Sequence, residues 1–440
     1  MGSAIEGPNL MSKAEDNSGL PTWFVTIRPV IILLFAWSLP ASMFGMQAGV
    51  IAGSVCLLGL TVWTRRTSHI RTPLDHAILF LLFVIGLSLV LAPRGVTSFQ
   101  TATSFWVMLA FYVTWGLLGN RKQLVWAVYG IIAIGCLAAA FGIIQSQTGQ
   151  YPLFELIHPD ANPTLRLAPV SERPSGVGFF FSRLTFAHVL LFPFCWAVAL
   201  CFEPFRIKQR FLFGAAAVVI GAGIFTTWTR AAPVAACLVG LGLVIGWLRR
   251  GKGWRLITLL AVLALVGGAI ALAPSAVKRL QKSFSGRADW SRLAIWHTAF
   301  DMASDNPVSG VGYGNFQRDA VSYIDQRVAS VKAKRFPGVI AWAHNNLLSF
   351  LSEMGFLGVW AFCFLFVVYF RSAWGILKTL DQNQIFMRGF VRGAIGSVCA
   401  FLAVGLFHDT FFDGEVVFTL WFTMAASLSV MKLGKHEASA

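Results

Sequence analysis

Long apolar runs alternate with short polar stretches along most of the chain. A helix needs about 20 apolar residues to cross the hydrocarbon core of a bilayer, and about twelve such runs are present. They lie at about 24–44, 47–64, 74–92, 101–118, 124–146, 178–202, 211–229, 231–248, 256–273, 345–370, 390–407 and 411–431. We expect Gly45 to separate the first two runs, and the segment from Thr229 to Pro233 to separate the seventh and eighth. The pattern predicts an all-α polytopic membrane protein with about twelve transmembrane helices.

The composition excludes a soluble fold. Hydrophobic residues make up 56% of the chain and charged residues 12%, which is too little polar material to cover a soluble protein of this length. The cysteines all fall within apolar runs, without metal-ligand spacing, so neither disulfides nor zinc are expected. The net charge of +16 is spread over short loops. This spread favours membrane lipids and a phosphate-bearing substrate, and not nucleic acid, as the anionic partners.

The basic residues predict how the helices are oriented. Lys and Arg in short loops stay on the cytoplasmic side of a membrane, and twelve spans place the basic segments of this chain on one side. These segments begin at Arg65, Arg121, Arg206, Arg249, Arg371 and Lys432. Both termini are therefore expected in the cytoplasm, and the long loops at about 147–177 and 274–343 on the periplasmic side.

This orientation divides the chain into five parts. Residues 1–23 form a cytoplasmic segment, the start of which resembles residues added by cloning. Residues 24–273 hold the first nine spans, and residues 274–343 form a large loop in which we expect a small helical cap. Residues 344–431 hold the last three spans, and residues 432–440 are a cytoplasmic tail.

Three arginines lie where the predicted periplasmic loops meet apolar spans. Arg173 precedes Gly176 and Gly178, which let the backbone approach a bulky ligand, and Arg183 opens the sixth span. Arg230 lies between two strongly apolar spans, where a charge costs roughly 2.5–3.5 kcal/mol and indicates a functional site. Arginine presents a planar fork of donors suited to phosphate. Anchoring to lipid headgroups is the alternative role for each of the three.

The large loop contributes Arg287 and Arg292. Arg292 lies four residues before Trp296, so the two share a face of a predicted helix. The glycine-rich stretch from Gly310 to Gly314 allows a tight, concave turn, but no strand precedes it, so a dinucleotide site is not predicted.

His344 stands where this loop enters the tenth span. An imidazole can act as a base or donate to phosphate near neutral pH. The neighbouring Asn345 adds an amide donor at a helix N-terminus, where an anion is favoured. Between the last two spans, Asp409 or Asp413 could orient His344 or an acceptor hydroxyl, and both could equally cap the last helix.

Five motifs together resemble the bacterial O-antigen ligase and polymerase superfamily, and most of all its ligases. The resemblance covers about residues 171–360. The motifs are Arg173-x-Ser-Gly, Thr227-Trp-Thr-Arg230, Arg292-Leu-Ala-Ile-Trp296, Pro307-Val-x-Gly310-Val-Gly312-x-Gly314-x-Phe316 and His344-Asn-x-x-Leu-x-x-x-x-Glu353-x-Gly355-x-x-Gly358. Family members often carry Asn-Pro-Asn where this chain has Phe180-Phe-Ser-Arg183, a departure that affects Arg183.

The resemblance implies a GT-C-type glycosyltransferase of the bacterial inner membrane, with its site facing the periplasm and with no metal or other cofactor. The donor would be an undecaprenyl-diphosphate-linked glycan and the acceptor a sugar hydroxyl of lipid A-core. The implied catalytic residues are His344, Arg292 and Arg230, and the candidate substrate-binding residues are Arg173, Arg183, Arg287, Asn345 and Asp409. His344 would be either the base or a diphosphate contact. The alternatives are an O-antigen or exopolysaccharide polymerase, and a transporter or flippase for an anionic lipid-linked substrate.

Overall fold

The chain folds into a bundle of helices. The computed structural model describes residues 20–67, 70–92, 104–157, 174–248, 287–323 and 342–438, and all regular secondary structure in these ranges is helical. Seven helices are long and apolar enough to cross a membrane, and four shorter apolar helices accompany them. These helices coincide with all the predicted runs except 256–273, which lies outside the described residues. The prediction of an all-α polytopic membrane protein is therefore confirmed.

The described ranges contain fourteen α-helices, labelled here in chain order. They are α1 (Thr22–Ser38), α2 (Met43–Thr64), α3 (Asp75–Val90), α4 (Leu109–Leu117), α5 (Arg121–Thr148), α6 (Pro152–Ile157), α7 (Arg183–Cys201), α8 (Ile207–Thr226), α9 (Ala231–Leu248), α10 (Arg287–Asp305), α11 (Phe316–Tyr323), α12 (Asn346–Thr379), α13 (Ile385–Gly405) and α14 (Gly414–Ala438). Short 3-10 turns precede α4 and α14, at Ser104–Met108 and Thr410–Phe412.

The break between the first two spans is not at Gly45, so that prediction was wrong. The helix α1 ends at Ser38, and Ser42 caps α2 by accepting the Gly45 N–H at 3.2 Å. Pro40 lies in the turn between them, where a proline without an N–H is tolerated. Gly45 instead permits close packing, because a Cβ there would lie 2.6 Å from the Ser38 Cβ.

The tenth predicted span is interrupted near its start. Gly355 has φ +65° and ψ −162° inside α12, so a short helical piece before it is set off from the long piece that ends at Thr379. A backbone with this φ favours glycine because no Cβ has to be accommodated. The His344 end of α12 is therefore oriented independently of the long apolar piece.

The helices α7 and α14 lie at the centre of the bundle. Nearly all side chains of α7 are buried, and it packs against α8, α9, α13 and α14. Small residues allow close approach, as at Gly393, where a Cβ would lie 2.7 Å from the Trp196 Cα.

The helical content expected in the large loop is present as α10 and α11. Ile295, Ala299 and Met302 of α10 pack with Phe316 of α11 and with Leu348 at the start of α12, in a small core separate from the main one. Arg292 is thereby carried on an element that packs directly against the His344 end of α12.

Candidate functional site

The turn at residues 406–413, between α13 and α14, joins the starts of α7 and α12. On one side, the Thr185 hydroxyl of α7 donates to Asp413 Oδ2 at 2.6 Å, and the rings of His188 and His408 lie 5.2 Å apart. On the other side, Asp409 contacts His344. One short turn therefore links two regions that are far apart in sequence.

Asp409 holds the backbone at the start of α12. Its Oδ2 accepts the His344 N–H at 2.6 Å, its Oδ1 accepts the Asn345 N–H at 3.2 Å, and the Ser349 hydroxyl donates to Oδ1. His344 has φ +53°, which is uncommon for a residue other than glycine. Its Nδ1 lies 3.8 Å from Asp409 Oδ2, and the side chain of His344 is 33% exposed. The carboxylate therefore anchors the backbone of His344 while part of the imidazole remains accessible to a ligand.

Two asparagines attach α12 to the 406–413 turn. The Asn345 carbonyl accepts the Leu348 N–H at 3.1 Å, and its amide donates to the Leu406 carbonyl at 2.9 Å. The Asn346 amide donates to the Thr410 hydroxyl at 2.9 Å. Both ends of the Asn345 amide are thus engaged within the protein, whereas the sequence indicated a substrate contact.

The electrostatics of His408 show which charged groups converge. Burial is the main cause that lowers the pKa of His408 to about 2, and neighbouring basic side chains lower it further. The neighbours that contribute are His188, Arg292, His344 and Arg183. Two predicted arginines, from α7 and α10, therefore act on the same ring as His344 from the start of α12. The two guanidinium charges make this end of the bundle attractive to an anion.

The glycine-rich stretch of the large loop pairs with the break in α12. Backbone hydrogen bonds of 2.9 Å run from Val311 to Ser352, from Gly312 to Glu353, and from Phe356 to Pro307. The buried Glu353 carboxylate also accepts the Gly314 and Phe316 N–H groups, at 2.9 and 3.1 Å. We call this set of contacts the glycine seam.

The glycines of the seam are required by its close contacts. Gly310 has φ +63°, and a Cβ there would lie 2.2 Å from the Glu353 carbonyl carbon. A Cβ on Gly355 would lie 2.5 Å from the Pro307 oxygen. The seam fastens the segment that follows α10 to the segment that follows His344, and so sets Arg292 and His344 in relation to each other.

A match to a known family coincides with these elements. Residues 215–363 match a family model described as O-Antigen ligase. The matched segment is about a third of the chain, and over this segment the chain is similar to the O-antigen ligase family. The match includes Arg230, Arg292, His344 and the whole glycine seam, whereas Arg183 and the 406–413 turn lie outside it. Comparison with curated proteins gives no match.

The similarity bears on the general activity. Members of the O-antigen ligase family are glycosyltransferase-like enzymes that act on lipid-linked sugars. The match does not resolve a ligase from a polymerase. The apolar helices indicate a multi-pass membrane protein.

The remaining predicted site residues are less closely tied to His344. Arg173 and the side chain of Arg287 lie outside the described residues. Arg230 is exposed on the turn between α8 and α9, and none of the described hydrogen bonds or ion pairs involves it. In the same turn, Trp228 has φ +53° and donates from its indole to the Pro174 carbonyl at 2.9 Å. The segment that follows Arg173 therefore contacts the turn that carries Arg230.

The sequence reasoning missed three buried polar residues that shape the site. Gln145 accepts the Val177 and Gly178 N–H groups, at 3.0 and 2.8 Å, and positions the segment that leads to α7. Glu353 was noted only as part of a motif, and its role in the seam depends on contacts about 40 residues away. His188 stands in an apolar helix and was not among the predicted site residues. A buried polar residue without a local partner was the available signal in each case.

The site is suited to anions. Arg183 and Arg292 supply fixed positive charge beside His408. Within the described residues, no group of three or more His, Cys, Asp or Glu side chains is arranged to hold a metal ion.

Proposed function

We propose that this protein is an O-antigen ligase that transfers a glycan from undecaprenyl diphosphate to a sugar hydroxyl of lipid A-core at the periplasmic membrane face. The supporting observation is that Arg183, Arg292 and His344 all act on His408, with Asp409 against His344. Fixed cations suit a diphosphate leaving group, and an accessible imidazole suits an attacking hydroxyl.

In the proposed reaction, His344 takes the proton of the acceptor hydroxyl. The hydroxyl oxygen then forms a bond to the anomeric carbon of the donor sugar, and the bond from that carbon to the diphosphate breaks. A single displacement of this kind inverts the anomeric centre. The carboxyl group of Asp409 would stabilise the imidazolium that forms, as a carboxylate does when it lies beside a catalytic histidine.

The arginines would stabilise the departing undecaprenyl diphosphate. Negative charge grows on its bridging oxygen as the sugar leaves, so donors held in place before the reaction lower the barrier. We assign this role to Arg292 and Arg230, with Arg183, Arg173 and Arg287 contacting the donor. In this scheme no metal ion is needed, because guanidinium groups supply the positive charge.

The orientation follows from the basic loops. The basic loop at Arg206 follows the end of α7, and the basic residues Arg371 and Lys378 lie in the last turns of α12 and not in a loop after it. The candidate site is at the starts of the same two helices. Since basic short loops remain in the cytoplasm, the site is assigned to the periplasmic side of the inner membrane.

The test is a transfer assay with the purified protein, an undecaprenyl-diphosphate-linked glycan and lipid A-core, in the presence of a metal chelator. A ligase produces glycan attached to lipid A-core, and transfer is undiminished by the chelator. Elongation of the lipid-linked glycan in place of transfer to lipid A-core would overturn the ligase proposal in favour of a polymerase. Absence of any transfer, together with movement of the lipid across vesicles, would favour a transporter.

A further inference from the structure

A second basic site lies at the other end of α12, away from His344. A cavity of about 540 Å³ opens there between α12 and α13. It is lined by Phe370, Arg371, Trp374, Gly375 and Lys378 of α12 and by Ile395 of α13. None of these residues belongs to the candidate catalytic site.

The helix geometry places the basic residues around an apolar floor. Arg371, Trp374, Gly375 and Lys378 follow the spacing i, i+3, i+4 and i+7, so they share one face of α12. Gly375 leaves this face bare, because a Cβ built there would meet no atom within 4 Å. The cavity therefore combines two long cationic side chains with a shallow apolar groove.

The two cations are available to a ligand. Arg371 and Lys378 are exposed, and neither takes part in a hydrogen bond or ion pair described for the chain. Asp381, the nearest acid in sequence, forms no described ion pair with either of them. The residues that line the cavity include no carboxylate, so its charge is complementary to an anion.

The depth of the cavity matches the level of lipid headgroups. From Gly355 to Trp374 the helix rises about 28 Å at about 1.5 Å per residue, close to the hydrocarbon thickness of about 30 Å. Tryptophan is enriched at such membrane interfaces, and Trp374 is 55% exposed. The cavity thus lies about one bilayer thickness from the break in α12.

We propose that this cavity binds an anionic phospholipid, with the phosphate between Arg371 and Lys378 and the start of an acyl chain over Gly375. Basic pockets between transmembrane helices on the cytoplasmic side bind anionic headgroups in this way. The apolar contacts would come from Phe370 and Ile395. The proposal is independent of the catalytic assignment.

Native mass spectrometry of the full-length protein can test it, with phosphatidylglycerol titrated into the detergent-solubilised protein and phosphatidylcholine as the neutral reference. We expect the first phosphatidylglycerol to bind more tightly than phosphatidylcholine. The double variant Arg371→Ala/Lys378→Ala should weaken that binding about thirtyfold, since each basic residue near a membrane surface contributes a factor of about five. Gly375→Leu fills the floor without changing the charge and should weaken it as well.

The matched control is Arg206→Ala/Lys208→Ala, which removes two exposed cations at the same end of the bundle but outside the cavity. This variant should bind phosphatidylglycerol as the wild type does. Unchanged binding in Gly375→Leu, or an equal loss in the control, would show general charge attraction and overturn the proposal. Phosphatidylcholine binding and the thermal unfolding of each variant establish that the fold is retained.

Discussion

The start of α12 and the turn before α9 are built alike but are surrounded differently. Each has a non-glycine residue at φ +53°, His344 in one and Trp228 in the other, and each is held by a contact from a distant segment. Around His344 this contact is the Asp409 carboxylate, and Arg183 and Arg292 act on the neighbouring His408. In the turn that carries Arg230, the contact is a hydrogen bond from the Trp228 indole to the Pro174 carbonyl. The role of a charged residue in an apolar chain thus depends on which other polar groups lie near it. More such groups lie near His344 than near Arg230.

The largest effect is expected for His344→Ala. Removing a general base typically costs about 10²- to 10⁴-fold in rate, so glycan transfer should fall by at least about a hundredfold with binding of the lipid-linked donor retained. Two quantities are measured, the single-turnover rate of transfer and the affinity for the lipid-linked donor. Undiminished transfer would show that His344 is not the general base of the reaction.

The comparison can be sharpened by replacing one arginine from each region with lysine. Arg292→Lys and Arg230→Lys should each lower kcat/KM for transfer by about 10- to 100-fold, because a point charge loses charged hydrogen bonds of about 1.5–3 kcal/mol. Arg206→Lys, on a loop at the far end of the bundle, is the control and should act as the wild type.

If Arg230→Lys transfers the glycan normally and Arg292→Lys does not, the two regions do not contribute alike to transfer. Arg230 would then be a headgroup anchor, and the donor site would be confined to the His344 side.

The glycine seam belongs to the His344 side and is expected to limit stability. Gly310→Ala should lower the free energy of unfolding by about 1–3 kcal/mol, because an alanine must adopt a positive φ against the Glu353 backbone. Gly86→Ala is the matched control, since a Cβ there meets no atom within 4 Å, and it should be neutral or slightly stabilising. Chemical unfolding followed by tryptophan fluorescence measures both. Equal stability of the two variants would contradict the tight pairing described for the seam.

The smallest effect is expected in the pH dependence of stability. Burial, followed by the charge of Glu415, raises the pKa of Asp413 to about 7. The ordinary value for an unfolded chain is about 3.9, so the folded state holds a proton that the unfolded state releases. The contribution is full below about pH 3.9 and is lost as the pH rises towards about 7. The midpoint of thermal unfolding should therefore fall less steeply with pH in Asp413→Asn than in the wild type, and identical slopes would contradict this.

Much of the fold followed from local pattern, whereas the site depended on contacts between distant residues. Apolar runs of membrane length predicted the helices because each run carries its own signal. The break at Gly355 carried no such signal, since its cause is the backbone of Pro307 and Val308 packed against it. Likewise, Gly45 resembled a breaker but serves close packing, while the turn itself contains Pro40.

The candidate residues were predicted by type, but their grouping was not. Arg183, Arg292 and His344 could be selected from sequence because charge is rare in an apolar chain. Their common influence on the pKa of His408 depends on the 406–413 turn, whose Thr185 and His188 contacts span more than 200 residues. The hydrophobic periodicity of a single helix carries no information about contacts between residues so far apart in sequence.

The two sides of the site are held by different kinds of contact. Arg292 and His344 are fastened by the backbone bonds of the glycine seam, whereas α7 meets the 406–413 turn through side chains, at Thr185 and His188. A substitution at Thr185 or His188 can therefore remove a contact on the α7 side without breaking a backbone bond. The spacing of Arg292 and His344 changes only if the backbone bonds of the seam break, so it is less sensitive to the replacement of single side chains other than the seam's glycines.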